Sequence, residues 1–302
     1  METCVQPPHT ATFQVQIDRS IWVGGVSGLM LQALHPVAMR GVWQNSDFQR
    51  DPFGRLRRTA DYVGRVTFGS AAEAEEIGRR VRGIHRALRV RDAAGRVTHR
   101  VDDPELLLWV HCAEVGSYLE VARRAGVRIS DRQADRYLAE QRRTASYVGL
   151  HAEDVPGSLA ELADYFASVR PGLAVTPEAL STVRFLIWPR LPRELRRFAL
   201  LKPLYAPFGA LCYYVLPDWA RRMYDVLPEV PQAAVVTALR AFRLAANTVP
   251  EPVHDRVFLP RTQAMLAATR ERLDAAGYDV SKGLKGLTDP RRWPSDRAAR
   301  AG

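Results

Sequence analysis

Cysteine is scarce in this chain: three among 302 residues, at positions 4, 112 and 212. No two form a CxxC pair, so neither a zinc ribbon nor a disulfide framework has its donors. Cys112 and Cys212 stand in apolar surroundings, where a free thiol packs as a small hydrophobe. Long apolar runs are missing too. The nearest, LLKPLYAPFGALCYYVLP from Leu200 to Pro217, contains Lys202 and three prolines. It falls short of the roughly 18 uncharged residues of a transmembrane segment and reads as buried or pocket-lining. The start, METCVQPPHTATF, has neither the basic residues nor the apolar run of a secretory signal. The expectation is a cytoplasmic protein, with peripheral membrane contact left open.

Familiar catalytic signatures are also absent. HExxH, the P-loop and GxGxxG do not occur, and no serine-led triad assembles. A di-iron bundle needs glutamates on four helices and two Glu-x-x-His pairs, whereas His111-x-x-Glu114 has the reverse order. The formal net charge of +10 would suit nucleic acid, an anionic membrane or an acidic ligand. The basic residues, however, are spread over faces that also carry acids, as between Asp131 and Arg143. With no zinc-finger spacing and no RNP-like strand, nothing selects nucleic acid as the partner.

What the chain does have is helical periodicity nearly throughout. A first helix is expected over roughly Asp18 to Val42, its apolar recurrence interrupted by Gly24, Gly25 and Gly28, which allow close approach of a helix or cofactor or mark a bend. Helix starts are written as Asp51-Pro52, Ser70 with Glu73, Asp103-Pro104, Ser130 with Gln133, Ser158 with Glu161, and Thr176-Pro177. Pro192 opens a basic amphipathic segment, and helices are expected over 232–247 and 262–275. β-Branched alternation is weak. The fold class expected is all-α: one helical domain over 15–278, then an extension or tail over 279–302.

Several polar residues sit inside this apolar pattern. VRGIHRALR sets Arg82, His85 and Arg89 on one flank of a helix over 71–89, beside a stripe of Ile77, Val81, Ile84 and Leu88. Such a histidine can ligate a metal while the arginines meet cofactor carboxylates, or it can be an ordinary residue at the core edge. His35, before Pro36, caps backbone or faces a pocket. Arg55, Arg58 and Thr59 form an oxygen- or anion-binding surface or a solvated face. His111 and Glu114 share a helix face at hydrogen-bonding spacing, or pack in the core. If three helices bring His35, His85 and His111 together, a non-heme iron or zinc site follows. Trp188, Tyr205, Phe208, Tyr213 and Tyr214 mark a pocket-rich or core region.

LQALHPVAMRGV, SDFQRDPFGRLRRT, VRGIHRALR and DPELLLWVH together resemble the DUF2236 family of MpaB-type oxygenases, related to the catalytic domain of latex-clearing rubber oxygenase. The resemblance runs from about Ile21 to Asn247. It implies an all-helical fold with a core likened to globins, heme b as cofactor, and oxidative chemistry. In the rubber-oxygenase branch, the histidine of an Arg-x-x-His-x-x-x-Arg helix motif is the proximal heme ligand, which carries over to His85 between Arg82 and Arg89. Propionate pairing or support of the ligand helix then falls to the two arginines. A distal Arg-x-x-Lys-Thr motif maps onto Arg55, Arg58 and Thr59, with Arg58 in place of the lysine. A lysine amine can ligate iron, whereas a guanidinium almost never does. The distal position is then open, water-filled or taken by another group such as His35.

The resemblance implies a small apolar or amphipathic substrate, of alkene or terpenoid type, and dioxygen as co-substrate. The residues taken alone also admit a heme sensor, carrier or peroxidase-like protein, a non-heme metalloenzyme, or a cofactor-free helical interaction protein. The sequence does not fix the oligomeric state.

Overall fold

Local capping chemistry sets most of the helix starts. The computed structural model describes residues 4–48, 50–189 and 202–294. Helix α1 covers Ala11–Gln16, α2 Ile21–Gln32, α3 Pro36–Asn45, α4 Pro52–Phe68 and α5 Ala71–Ala87. Asp51 accepts from Gly54 N at the head of α4, with Pro52 in the first turn where its missing N–H costs nothing. Ser70 and Glu73 form a complete capping box on α5. Next come α6 (Pro104–Arg124), α7 (Asp131–Ser146), α8 (Leu159–Val169) and α9 (Pro177–Ile187), capped by Asp103, Ser130, Ser158 and Thr176 in turn. Then follow α10 (Lys202–Tyr214), α11 (Asp218–Tyr224), α12 (Gln232–Thr248), α13 (Glu251–Asp255), α14 (Pro260–Ala275) and α15 (Gly283–Gly286). The basic segment opened by Pro192 lies outside the described residues as far as 201.

Two expectations need correction. The single helix over 18–42 is two helices, α2 and α3, bent by 107°. The residue before a proline avoids the α region, and His35 is extended at φ −84, ψ 112. Second, α5 stops at Ala87 and Leu88 is extended, so Arg89 is not on the helix of His85. It opens strand β1 (Arg89–Arg91), which pairs antiparallel with β2 (Val97–Arg100). This hairpin turns at Gly95, whose φ of +78 suits glycine. It makes the fold predominantly rather than wholly helical. Within the expected extension or tail, residues 279–294 are packed: Leu284 and Leu287 join Phe13, Phe68 and Leu273 in a buried cluster, and Trp293 Nε1 donates to Leu287 O.

Helices α2 and α6 pack face to face at the centre. A Cβ at Gly24 would meet the Ser117 carbonyl oxygen at 3.1 Å, so glycine there permits the close approach. Around this pair, Met30, Leu34, Trp109 and Leu239 are fully buried. Each such side chain contributes roughly 1.5–3 kcal/mol by leaving water. Among the described residues no single helix is long and apolar enough to cross a membrane.

Candidate functional site

Helices α4, α5 and α6, with α1 and α7, line a small chamber in which several polar side chains meet mainly apolar walls. Arg82 fastens α5 by donating to Tyr147 O at 3.0 Å and to Glu75 at 2.6 Å. A Cβ at Gly78 would come within 2.7 Å of the same Tyr147 oxygen, so glycine lets α5 sit this close. His85, one turn beyond Arg82, then faces a cavity of about 70 Å³ with Tyr62 from α4, His111 and Glu114 from α6, and Gln16 from α1.

Buried polar atoms without hydrogen-bond partners are costly and therefore rare. Six such side-chain atoms occur among the described residues, and four line this one chamber: Gln16 Oε1, Tyr62 Oη, His85 Nδ1 and His111 Nε2. Burial, with the positive charge of Arg55 adding to it, lowers the proton affinity of His85. Burial alone holds His111 down at about 4, so both rings are neutral at pH 7. Neutral imidazole with a free lone pair is the form that ligates a metal.

Glu114 connects this chamber to a larger cavity of about 190 Å³. Its pKa is raised, chiefly by burial, while the Tyr118 hydroxyl, donating at 2.8 Å, and Arg55 oppose the shift. Arg55 and Thr59 line this larger cavity and also a third, mainly apolar one of about 160 Å³, formed in part by Phe48, Phe185, Tyr205 and Phe208. Val110 borders all three. Arg55 is ringed by protein, which lowers its pKa, yet much of its surface is open. The two observations agree if its guanidinium faces the cavities. Among the described residues no carboxylate lies within ion-pair distance of it.

The remaining sequence candidates are placed as follows. Arg58 is at the surface, paired with Asp51 at 3.2 Å. The Thr59 hydroxyl donates to Arg55 O. Arg89 donates to the carbonyls of Arg86 and Leu88. Neither Arg82, Arg89 nor Arg58 borders the three cavities. His35 accepts from Ala38 N and packs on Trp109, away from His85 and His111. The three-histidine cluster therefore does not form among the described residues, and His111 Nε2 is left without a partner while Glu114 Oε1 accepts the Tyr118 hydroxyl. Of the aromatic set, Tyr205 and Phe208 line a cavity, Tyr213 is core and Trp188 is exposed. Gln16, Tyr62 and Tyr118 were not anticipated. Of these, only Tyr118 had a local signal, its four-residue spacing from Glu114.

Among the described residues no three His, Cys, Asp or Glu side chains are grouped to hold a metal ion. A structural zinc or a two-His-one-carboxylate iron needs such a set. A heme needs from the protein one axial donor and a partly apolar slot. Each of the two partnerless imidazole nitrogens, His85 Nδ1 and His111 Nε2, is such a donor in a chamber beside cavities with apolar walls.

No curated protein matches the chain, and no solved structure does. A family match does cover most of the length, residues 14–250, and takes in every residue of the chamber. This chain accordingly belongs to the family described as ER-bound oxygenase mpaB/B'/Rubber oxygenase, catalytic domain.

Proposed function

We propose that the chain is a heme b-dependent oxygenase that acts on an apolar or amphipathic substrate with dioxygen, with His85 as the axial ligand. The observation that carries this reading is the buried Nδ1 of His85, partnerless in a chamber that adjoins two larger cavities. Family membership supports an oxygenase, and the heme b that the sequence resemblance implies supports the cofactor. When bound, heme would supply the electron chemistry on dioxygen.

The chain's own residues carry the remaining work. His85 stays neutral and available to iron because burial and Arg55 disfavour its protonated form. Arg82 and Arg89 support the ligand helix: one ties α5 to Tyr147, and the other bonds the carbonyls at its end. Arg55 offers unshared N–H donors to negative charge developing in the cavity, where low dielectric strengthens them. Thr59 shapes the wall next to it. Glu114, held toward its protonated form, holds or returns a proton at its carboxyl oxygen while the Tyr118 hydroxyl orients it. The apolar side chains of the third cavity exclude water and receive the hydrocarbon part of the substrate. Arg58, paired with Asp51 at the surface, is not an iron ligand.

The test is the absorption spectrum of full-length protein supplied with heme, reduced and exposed to carbon monoxide, followed by oxygen uptake with alkene and terpenoid substrates. A stoichiometric Soret band that shifts with carbon monoxide, with substrate-dependent oxygen uptake, is expected. Absence of the band after adequate heme supply overturns the reading. A band without turnover leaves a carrier or sensor.

A further inference from the structure

The far wall of the cavity of about 190 Å³ comes from outside the family-matched residues. Beyond position 250, α13 supplies Glu251, His254 and Asp255, α14 supplies Arg270, and α15 supplies Leu284 and Lys285. Trp22 of α2 closes against this wall, its Nε1 donating to His254 Nε2 at 3.2 Å.

The acids of this wall already have partners. Arg243 holds Asp18 at 2.8 Å, and Arg270 holds both Asp255, at 2.5 Å, and Glu251, at 3.1 Å. Glu251 also accepts the backbone N–H groups of Leu284 and Lys285. Arg19 donates to the carbonyls of Ala246 and Val249. Lys285 differs. Its ammonium has three donors and one backbone acceptor, Asn247 O, at 3.3 Å. Among the described residues no carboxylate lies within ion-pair distance of its Nζ. Burial lowers its pKa, and the charges of Asp18, Arg19, Arg243 and Glu251 act on it with opposing signs. An ammonium drawn into a cavity with spare donors is a seat for an anion.

We propose that Lys285 recognises the carboxylate head of an amphipathic substrate whose hydrocarbon tail runs through the large cavity toward Arg55 and Glu114. This rests on the oxygenase reading for its meaning, although the binding itself needs no turnover. It makes the segment after residue 250 the part of the chain that selects substrate by headgroup. The cavity's polar rim and its apolar residues Trp22, Leu29 and Phe258 suit a long-chain acid better than a neutral hydrocarbon.

The probes are oleate and oleyl alcohol, titrated below their aggregation limits at pH 8 into the full-length protein, heme-loaded and heme-free, with the fluorescence of Trp22 as readout. A Trp22→Phe variant identifies its share of the signal. The expected result is binding of oleate about tenfold or more tighter than the alcohol. Lys285→Met should lose that preference, keep its affinity for the alcohol, and keep its melting temperature and Soret band. Lys285→Arg should restore the preference. The proposal is overturned if wild type does not discriminate, or if Lys285→Met still prefers oleate. It is equally overturned if Lys285→Met loses heme, which would assign the ammonium to a propionate. His85→Ala separates the two readings. Loss of heme with the headgroup preference intact leaves this proposal standing, and retention of the preference in Lys285→Met with heme intact fails this proposal alone.

Discussion

Two polar clusters lie inside this molecule, and they are built on opposite terms. In the first, around α13 and α14, the carboxylates have their counter-ions: Arg270 bridges Glu251 and Asp255, and Arg243 holds Asp18. In the second, around His85, four buried polar atoms have no partner. A satisfied cluster fixes where helices dock. An unsatisfied one costs stability, and a fold retains that cost where something else completes the site. The contrast separates residues that hold the cavity's shape from residues that act inside it.

The sharpest way to break the contrast is Arg270→Ala. It strands two partly buried carboxylates and should cost roughly 3 kcal/mol, read by denaturant unfolding. A loss under about 0.5 kcal/mol would mean that the paired cluster is ornamental.

His111→Leu should act in the opposite sense and depend on pH. The folded-state pKa of His111 is depressed to about 4 from 6.5, so the folded protein binds fewer protons than the unfolded chain between those values. The contribution is full above 6.5 and fades as pH falls toward 4. The total is on the order of 3 kcal/mol. The leucine variant should lack that share of the acid-induced loss; unfolding curves at pH 7 and pH 4 measure it. Identical acid slopes in both proteins would show that the ring is not buried as described.

Glu114→Gln should give a smaller change with the reverse pH sense. The raised pKa means that stability is lost as pH climbs past 4.5. The amide should therefore melt higher than wild type at pH 8 and equally at pH 4. The same variant should slow oxygen-dependent turnover while leaving the Soret band in place. Arg58→Ala should do least to the fold, within about 1 kcal/mol, because its pair with Asp51 is exposed.

Much of the fold was legible because helix starts are chemically local. Asp51-Pro52, Ser70 with Glu73 and Thr176-Pro177 each place a donor-satisfying side chain next to the amides that need it. The hairpin after α5 was not legible. Its strands are only three and four residues long, too short for alternation to show, and Arg89 consequently looked helical. The packing of Leu284 and Leu287 against Phe13 was equally hidden, since it joins the two ends of the chain.

The site was half legible. His85, Arg55 and Glu114 stood out as polar residues in apolar stretches. Gln16 and Tyr62 complete the chamber from α1 and α4, and no spacing in the sequence links them to His85. His35 was grouped with the other histidines on composition alone. The bend before Pro36 turns it to cap α3 instead.

The central claim is that His85 is the one protein ligand that the heme requires. Replacing it with glycine and titrating the full-length protein with hemin, with and without added imidazole, tests that directly. The account predicts that His85→Gly loses the native Soret band while keeping its helix content, and that free imidazole restores the band. An unchanged band in His85→Gly without imidazole would contradict it, as would an intact wild-type fold that takes up no heme.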